Sequence, residues 1–234
     1  MIKNKGAFFK GAAIGACFFG LLFLIFSPVF GNGMNGLEYA DEMFNKLAKG
    51  SSHFIPGLLE GNKKNEDKSI SVTFSMDKAE EAELAGKLFT TAGAKVNVVK
   101  GEINVEGSLG KVIASVLDDA EVMFQNDGDK IKAKYGQSGK VVLKTWWGAL
   151  SKMVKKLEKD GKISEAKALN TVVKKAVEPA YNFYGVQSQK VADKILLMIA
   201  LLVFYVFYTI MWGYAIFFMF EGLGLSMKKG KHGH

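Results

Sequence analysis

The chain contains no arginine; all 31 of its basic residues are lysine. Lysine is a compact charge on a flexible stem and lacks the planar fork that grips phosphate or guanine bidentately. Sequence-specific reading of nucleic acid thereby loses its commonest tool, and no nucleic-acid partner is expected. Cysteine is nearly absent too. The single one, Cys17, lies inside an apolar run, which excludes an internal disulfide framework and a thiolate metal site. Of the three histidines only His53 falls in the polar part of the chain, and one imidazole does not make a transition-metal site. His232 and His234 sit in the C-terminal tail. Phosphate-loop, nucleophile-elbow and His-Glu-x-x-His motifs are missing as well. The sequence makes no case for an enzyme, a metal or a cofactor, and none is expected.

What the chain does have is a pair of long apolar runs, residues 11–30 and 195–220, neither containing a charged residue. Roughly 20 apolar residues cross a bilayer, so each run is expected to be a transmembrane helix. Lys3, Lys5 and Lys10 lie before or at the edge of the first, and Lys228, Lys229 and Lys231 follow the second. Short lysine-bearing flanks stay on the cytoplasmic side. The expected layout is a cytoplasmic tail (1–10), a first span (11–30), an extracytoplasmic region (31–194), a second span (195–220) and a basic cytoplasmic tail (221–234). A bacterial inner membrane is the expected location. Val29-Phe30-Gly31 places bulky Phe30 where a cleavage site needs small residues, so the first run is expected to remain as an anchor. Neither run has an Asp, Glu, Lys or His in its interior, which argues against a proton or ion path built by this chain alone.

Gly11, Gly15, Ala16 and Gly20 form a small-residue surface on the first run, the kind that lets another membrane helix approach closely. Other membrane-protein subunits, or further copies of this chain, are the expected partners in the bilayer.

Residues 31–68 read as a helix over 37–48 followed by a linker, since Pro56-Gly57 and the polar run 61–68 interrupt the pattern. Residues 69–136 alternate between strand and helix periods. Ile70, Val72 and Phe74 mark a strand, and Leu84, Ala85, Leu88 and Phe89 mark a helix. The runs 95–99 and 102–106 form a hairpin. Leu109, Val112, Ile113, Val116, Ala120 and Met123 mark a second helix, and 129–135 alternates again. The order β-α-β-β-α-β resembles the ferredoxin-like sandwich, an architecture shared by many functions. Residues 137–194 read as an amphipathic helical hairpin, kinked at Pro179 and continuing into the second span. The expected fold class is an α+β membrane protein with two terminal transmembrane helices flanking a ferredoxin-like domain and this hairpin.

Asp118, Asp119 and Glu121, with Asp127 and Asp129 beyond, read as solvated helix-surface acids. Trp146 lies in the apolar stripe of the hairpin and Trp147 at its edge. Lys152, Lys155, Lys156 and Lys159 line the opposite face and, with Trp147, are the candidate surface for lipid headgroups or a partner. The expected function is a non-catalytic, membrane-anchored binding or assembly module, a subunit of a larger complex or a homo-oligomer. By topology alone the layout resembles the oligomeric regulators of surface-polysaccharide export. A third reading is an extracytoplasmic small-molecule sensor, which with tails this short needs a signalling partner. No residue names a ligand.

Overall fold

Lys5–Phe26 (α1) and Ile195–Leu223 (α10) are the helices long and apolar enough to cross a membrane in the computed structural model, which describes residues 2–225. Lys228, Lys229, Lys231, His232 and His234 lie outside the described residues. Asn4 starts α1 by accepting the Ala7 amide at 3.1 Å. The helix stops ahead of Ser27-Pro28, where the proline disfavours helical backbone. At the other end Gly224, at φ 79°, closes α10 in the left-handed conformation. Residues 1–47 and 189–234 make one unit of the chain, and residues 48–188 make a second.

Gly36–Ser51 (α2) begins with a reciprocal cap. Asn35 Oδ1 accepts the amides of Leu37 and Glu38, each at 2.9 Å, and Glu38 Oε2 accepts the Asn35 amide at 3.0 Å. The stretch expected to be a linker is folded. Ile55–Gly61 (α3) and a 3-10 turn over Asn62–Asn65 follow one another, anchored by Ile55 at 1% exposure. Pro56 sits in the first helical turn, where a missing N–H leaves no bond unmade.

Ser69–Ser75 (β1), Lys95–Val99 (β2) and Glu102–Ser108 (β3) form one antiparallel sheet in the order β1-β3-β2. Val72 faces Val105 and Phe74 faces Ile103, so one face turns its apolar residues to the core. The other face is polar, with Asn104 Nδ2 donating to Thr73 Oγ1 at 2.9 Å. It carries no aromatic platform for stacking bases. Ala79–Thr91 (α4) packs on the sheet, and Leu109–Phe124 (α5), capped by Ser108, buries Val112, Val116, Leu117 and Ala120 completely.

The fourth strand of the expected ferredoxin-like sandwich is a helix. Gly128–Tyr135 (α6) replaces it, leaving a three-stranded sheet. The residues 129–135 satisfy both periods, because Ile131 and Tyr135 are two apart plus two and also one helical turn apart. Local chemistry decides between them. Asp127 Oδ1 accepts the Lys130 amide at 3.3 Å, Asp129 occupies the first turn, Lys132 and Lys134 the last, and Gly136 at φ 76° ends the helix. Ile131 and Tyr135 are buried at 1% and 2% exposure.

Gly139–Lys159 (α7) and Ile163–Val172 (α8) form the hairpin. Beyond α8, Val173–Val177 is a widened π-turn that leads into Glu178–Asn182 (α9). The Glu178 amide reaches back to Val173 O, and the looser turn accommodates Pro179 without breaking the helix. The helix does end at Asn182. The expected continuous helix into the second span is absent: Val191–Lys194 is a separate 3-10 turn ahead of α10.

Asp119 is not a surface acid. It is fully buried on α5, where its Oδ2 accepts from Tyr135 Oη at 2.7 Å and Trp146 Nε1 at 2.8 Å, while Oδ1 accepts from Lys134 Nζ at 2.7 Å. One carboxylate thus binds α5, α6 and α7 together. Burial, then the hydrogen bond and charge of Asp119, push the Tyr135 hydroxyl up to about 12. Burial works against the Lys134 ammonium, but its bond to Asp119 outweighs this and raises its pKa.

A second polar node is Lys49, 1% exposed. It donates to Asn126 Oδ1 (2.9 Å), Phe183 O (3.1 Å) and Val186 O (2.7 Å), and burial lowers its pKa.

Asp119→Ala should leave two buried donors, Tyr135 Oη and Trp146 Nε1, unpaired and destabilise the second unit by about 3–5 kcal/mol, whereas Asp118→Asn, on the exposed side, should change stability by less than about 0.5 kcal/mol. Denaturant unfolding of the detergent-solubilised protein measures both.

The raised Tyr135 pKa makes a further prediction. The unfolded chain loses this proton near its ordinary 10.0 while the folded protein keeps it to about 12. The stabilisation is complete below pH 10 and disappears as pH rises to about 12. Tyr135→Phe should flatten the fall in stability across that window.

Candidate functional site

The small residues of α1 meet α10 unequally. A side-chain carbon at Gly11 would lie 2.6 Å from Met219 N and 2.8 Å from Ala215 O, so only glycine allows the backbones this close. Gly15 is buried against Ala215 at an ordinary 3.9 Å. Gly20 has nothing within 4 Å, and both it and Ala16 are exposed. The four small residues do not share one face because Ala16 and Gly20 stand off the α10 side of the helix. The counterpart on α10 is Gly222, whose missing side chain admits the backbone of Phe8, a contact that sequence inspection did not single out. Further along, Phe18 stacks on Tyr208 with ring centroids 4.2 Å apart and tilts against Trp212 at 4.7 Å. Close backbone approach at one end and ring stacking at the other hold α1 and α10 as a pair. The outward surface of α10 stays apolar, with Leu196 81% and Phe207 69% exposed.

The second candidate surface splits. Trp147 is half-buried, edge-on to Tyr181 with centroids 6.0 Å apart, and lines a groove of about 640 Å³ with Met76, Lys144 and Lys152. Lys152 Nζ bonds Asp77 Oδ1 at 2.7 Å, and that bond and charge hold the Asp77 carboxyl below its usual range. Lys156 pairs with Asp160 at 2.8 Å, while Lys155 and Lys159 are exposed on the remaining helix surface. The lysine face is therefore partly neutralised. The groove, with Asp77 and Glu81 against Lys144 and Lys152, balances its charge around an aromatic wall. Trp146 points the other way into the core, edge-on to Phe89 at 5.0 Å.

His53 pairs with Glu121 at 2.7 Å and stacks on Phe124 at 4.8 Å. Among the described residues no group of His, Cys, Asp and Glu comes together to hold a metal. Comparison with protein-family models, curated proteins and solved structures returns no match to this chain.

The graded contacts order the effect of enlarging each glycine. Gly11→Leu should force α1 from α10 and weaken the pair by roughly 1–2 kcal/mol or more, Gly15→Leu less, and Gly20→Leu not at all. The midpoint of unfolding in an SDS titration of each variant reads this order.

Proposed function

We propose that the protein is a membrane-anchored, non-catalytic binding or assembly module. α1 and α10 insert as a helical hairpin, and the second unit is presented to other molecules. The observation that carries the reading is the apolar outer surface of the helix pair. Large side chains such as Leu196, Tyr205 and Phe207 are exposed along α10, while the second unit closes its own core. In water such a surface is unfavourable by about 25 cal/mol for each Å² exposed, and lipid or neighbouring helices remove that cost. The Trp147–Tyr181 groove supports a binding role, and further subunits or copies of the chain are the partners proposed for the membrane face. The lysines that flank the apolar runs support cytoplasmic ends and an extracytoplasmic second unit in a bacterial inner membrane.

Alkaline extraction of membranes should leave the protein in the pellet. With Cys17→Ala as background, Glu83→Cys should react with a membrane-impermeant maleimide added to intact spheroplasts. Extraction into the supernatant would defeat the anchoring, and protection of residue 83 until lysis would reverse the orientation. A native gel in mild detergent then tests assembly, which requires a species larger than one chain in its micelle.

A further inference from the structure

The stretch that reads as a linker builds a cleft. α3 and the 3-10 turn after it, facing α8, enclose about 300 Å³. Lys64, Lys68 and Lys167 line it, with no aspartate or glutamate in its wall. None of these three makes an ion pair among the described residues. Lys68 Nζ donates one hydrogen bond, to Ser164 Oγ at 3.0 Å, which leaves its other protons and the Ser164 hydroxyl proton uncommitted.

Leu58, Ile113, Ala168 and Val172 give the cleft an apolar side, and two asparagines give it a polar one. Asn62 Nδ2 donates to Gly110 O at 2.7 Å, and Asn65 Nδ2 donates to Asn62 Oδ1 at 3.2 Å. Gly110 is required there, because a side-chain carbon would fall 2.7 Å from Glu66 Cα. Asn65, only 4% exposed, keeps one oxygen, Oδ1, buried without a partner. A buried acceptor left unpaired is costly, and three lysines round one recess, of which Lys64 and Lys167 are solvent-exposed, offer their charge to an anion.

We infer that this cleft binds a phosphate-bearing ligand that carries a neighbouring hydroxyl or ammonium donor. Phosphate offers three oxygens and up to two charges to the lysines and Ser164, more than a carboxylate can, and lysine binds it as a point charge. The adjacent donor would satisfy Asn65 Oδ1, which has no accessible surface until the side chain turns toward the cleft. A volume of about 300 Å³ lies at the small end of ligand sites and suits a glycerol phosphate, free in solution or as the headgroup of an anionic lipid. The site belongs to the second unit and stands whether or not the helix pair inserts in a membrane.

Full-length protein in neutral detergent is dialysed against labelled glycerol 3-phosphate, and protein in phosphatidylcholine nanodiscs is probed with spin-labelled phosphatidylglycerol. Saturable binding is expected in at least one arm, weakened roughly tenfold by each of Lys68→Gln and Lys167→Gln. Lys132→Gln, on exposed α6 surface, should leave it unchanged. Lysine-dependent binding of the soluble ester assigns a free ligand. Lysine-dependent retention of the lipid alone assigns a headgroup. Absence of saturable binding in both arms overturns the inference, as does binding that survives Lys68→Gln combined with Lys167→Gln in protein whose circular dichroism is unaltered.

Discussion

The carboxylate of Asp119 is the point on which the second unit depends. An acid with no exposed surface is tolerated only if its oxygens are filled, and here Tyr135, Trp146 and Lys134 fill them from neighbouring helices. Each donor fixes a different element. Tyr135 and Lys134 orient α6 across α5, and Trp146 sets the rotation of α7 while its ring lies edge-on to Phe89 of α4. Apolar packing alone permits several rotations of such helices, because ridges of similar side chains can interlock in more than one way. A fully satisfied polar network selects one of them.

The same network explains why the sheet stops at three strands. α6 supplies two of the donors, and they reach Asp119 because consecutive residues Lys134 and Tyr135 project from a helical turn beside α5. An extended 129–135 would send neighbouring side chains to opposite faces of the sheet. The helix is thus favoured twice, by its own caps and by the buried acid it serves.

Much of the fold can be read directly from the residues. Ser69–Ser75 and Lys95–Val99 alternate cleanly, and the stripe from Leu109 to Met123 has the helical period. The misreading of 129–135 arose where two periods coincide, although Asp127 and Gly136 flanked it with helix signals. Asp119 was opaque for another reason. A polar residue's burial depends on partners distant in sequence, and nothing local separates it from its exposed neighbour Asp118. The site residues divide in the same way. Spacing places Gly11 and Gly15 on one side of α1, yet only the path of α10 determines that Gly20 meets nothing. Lys64 and Lys68 sit in a polar run that looked like a linker, and their convergence with Lys167 needs the tertiary fold.

The π-turn over Val173–Val177 sets the angular phase of everything after it. One residue more than a regular helical turn requires is absorbed there, so the following side chains are rotated by about 100° from where an unbroken helix would carry them. Tyr181, the next aromatic, stands over Trp147 because of that offset. Gain or loss of a single residue in this turn would re-aim the wall of the groove without altering any residue that lines it, which makes the length of the turn a determinant of the groove's shape.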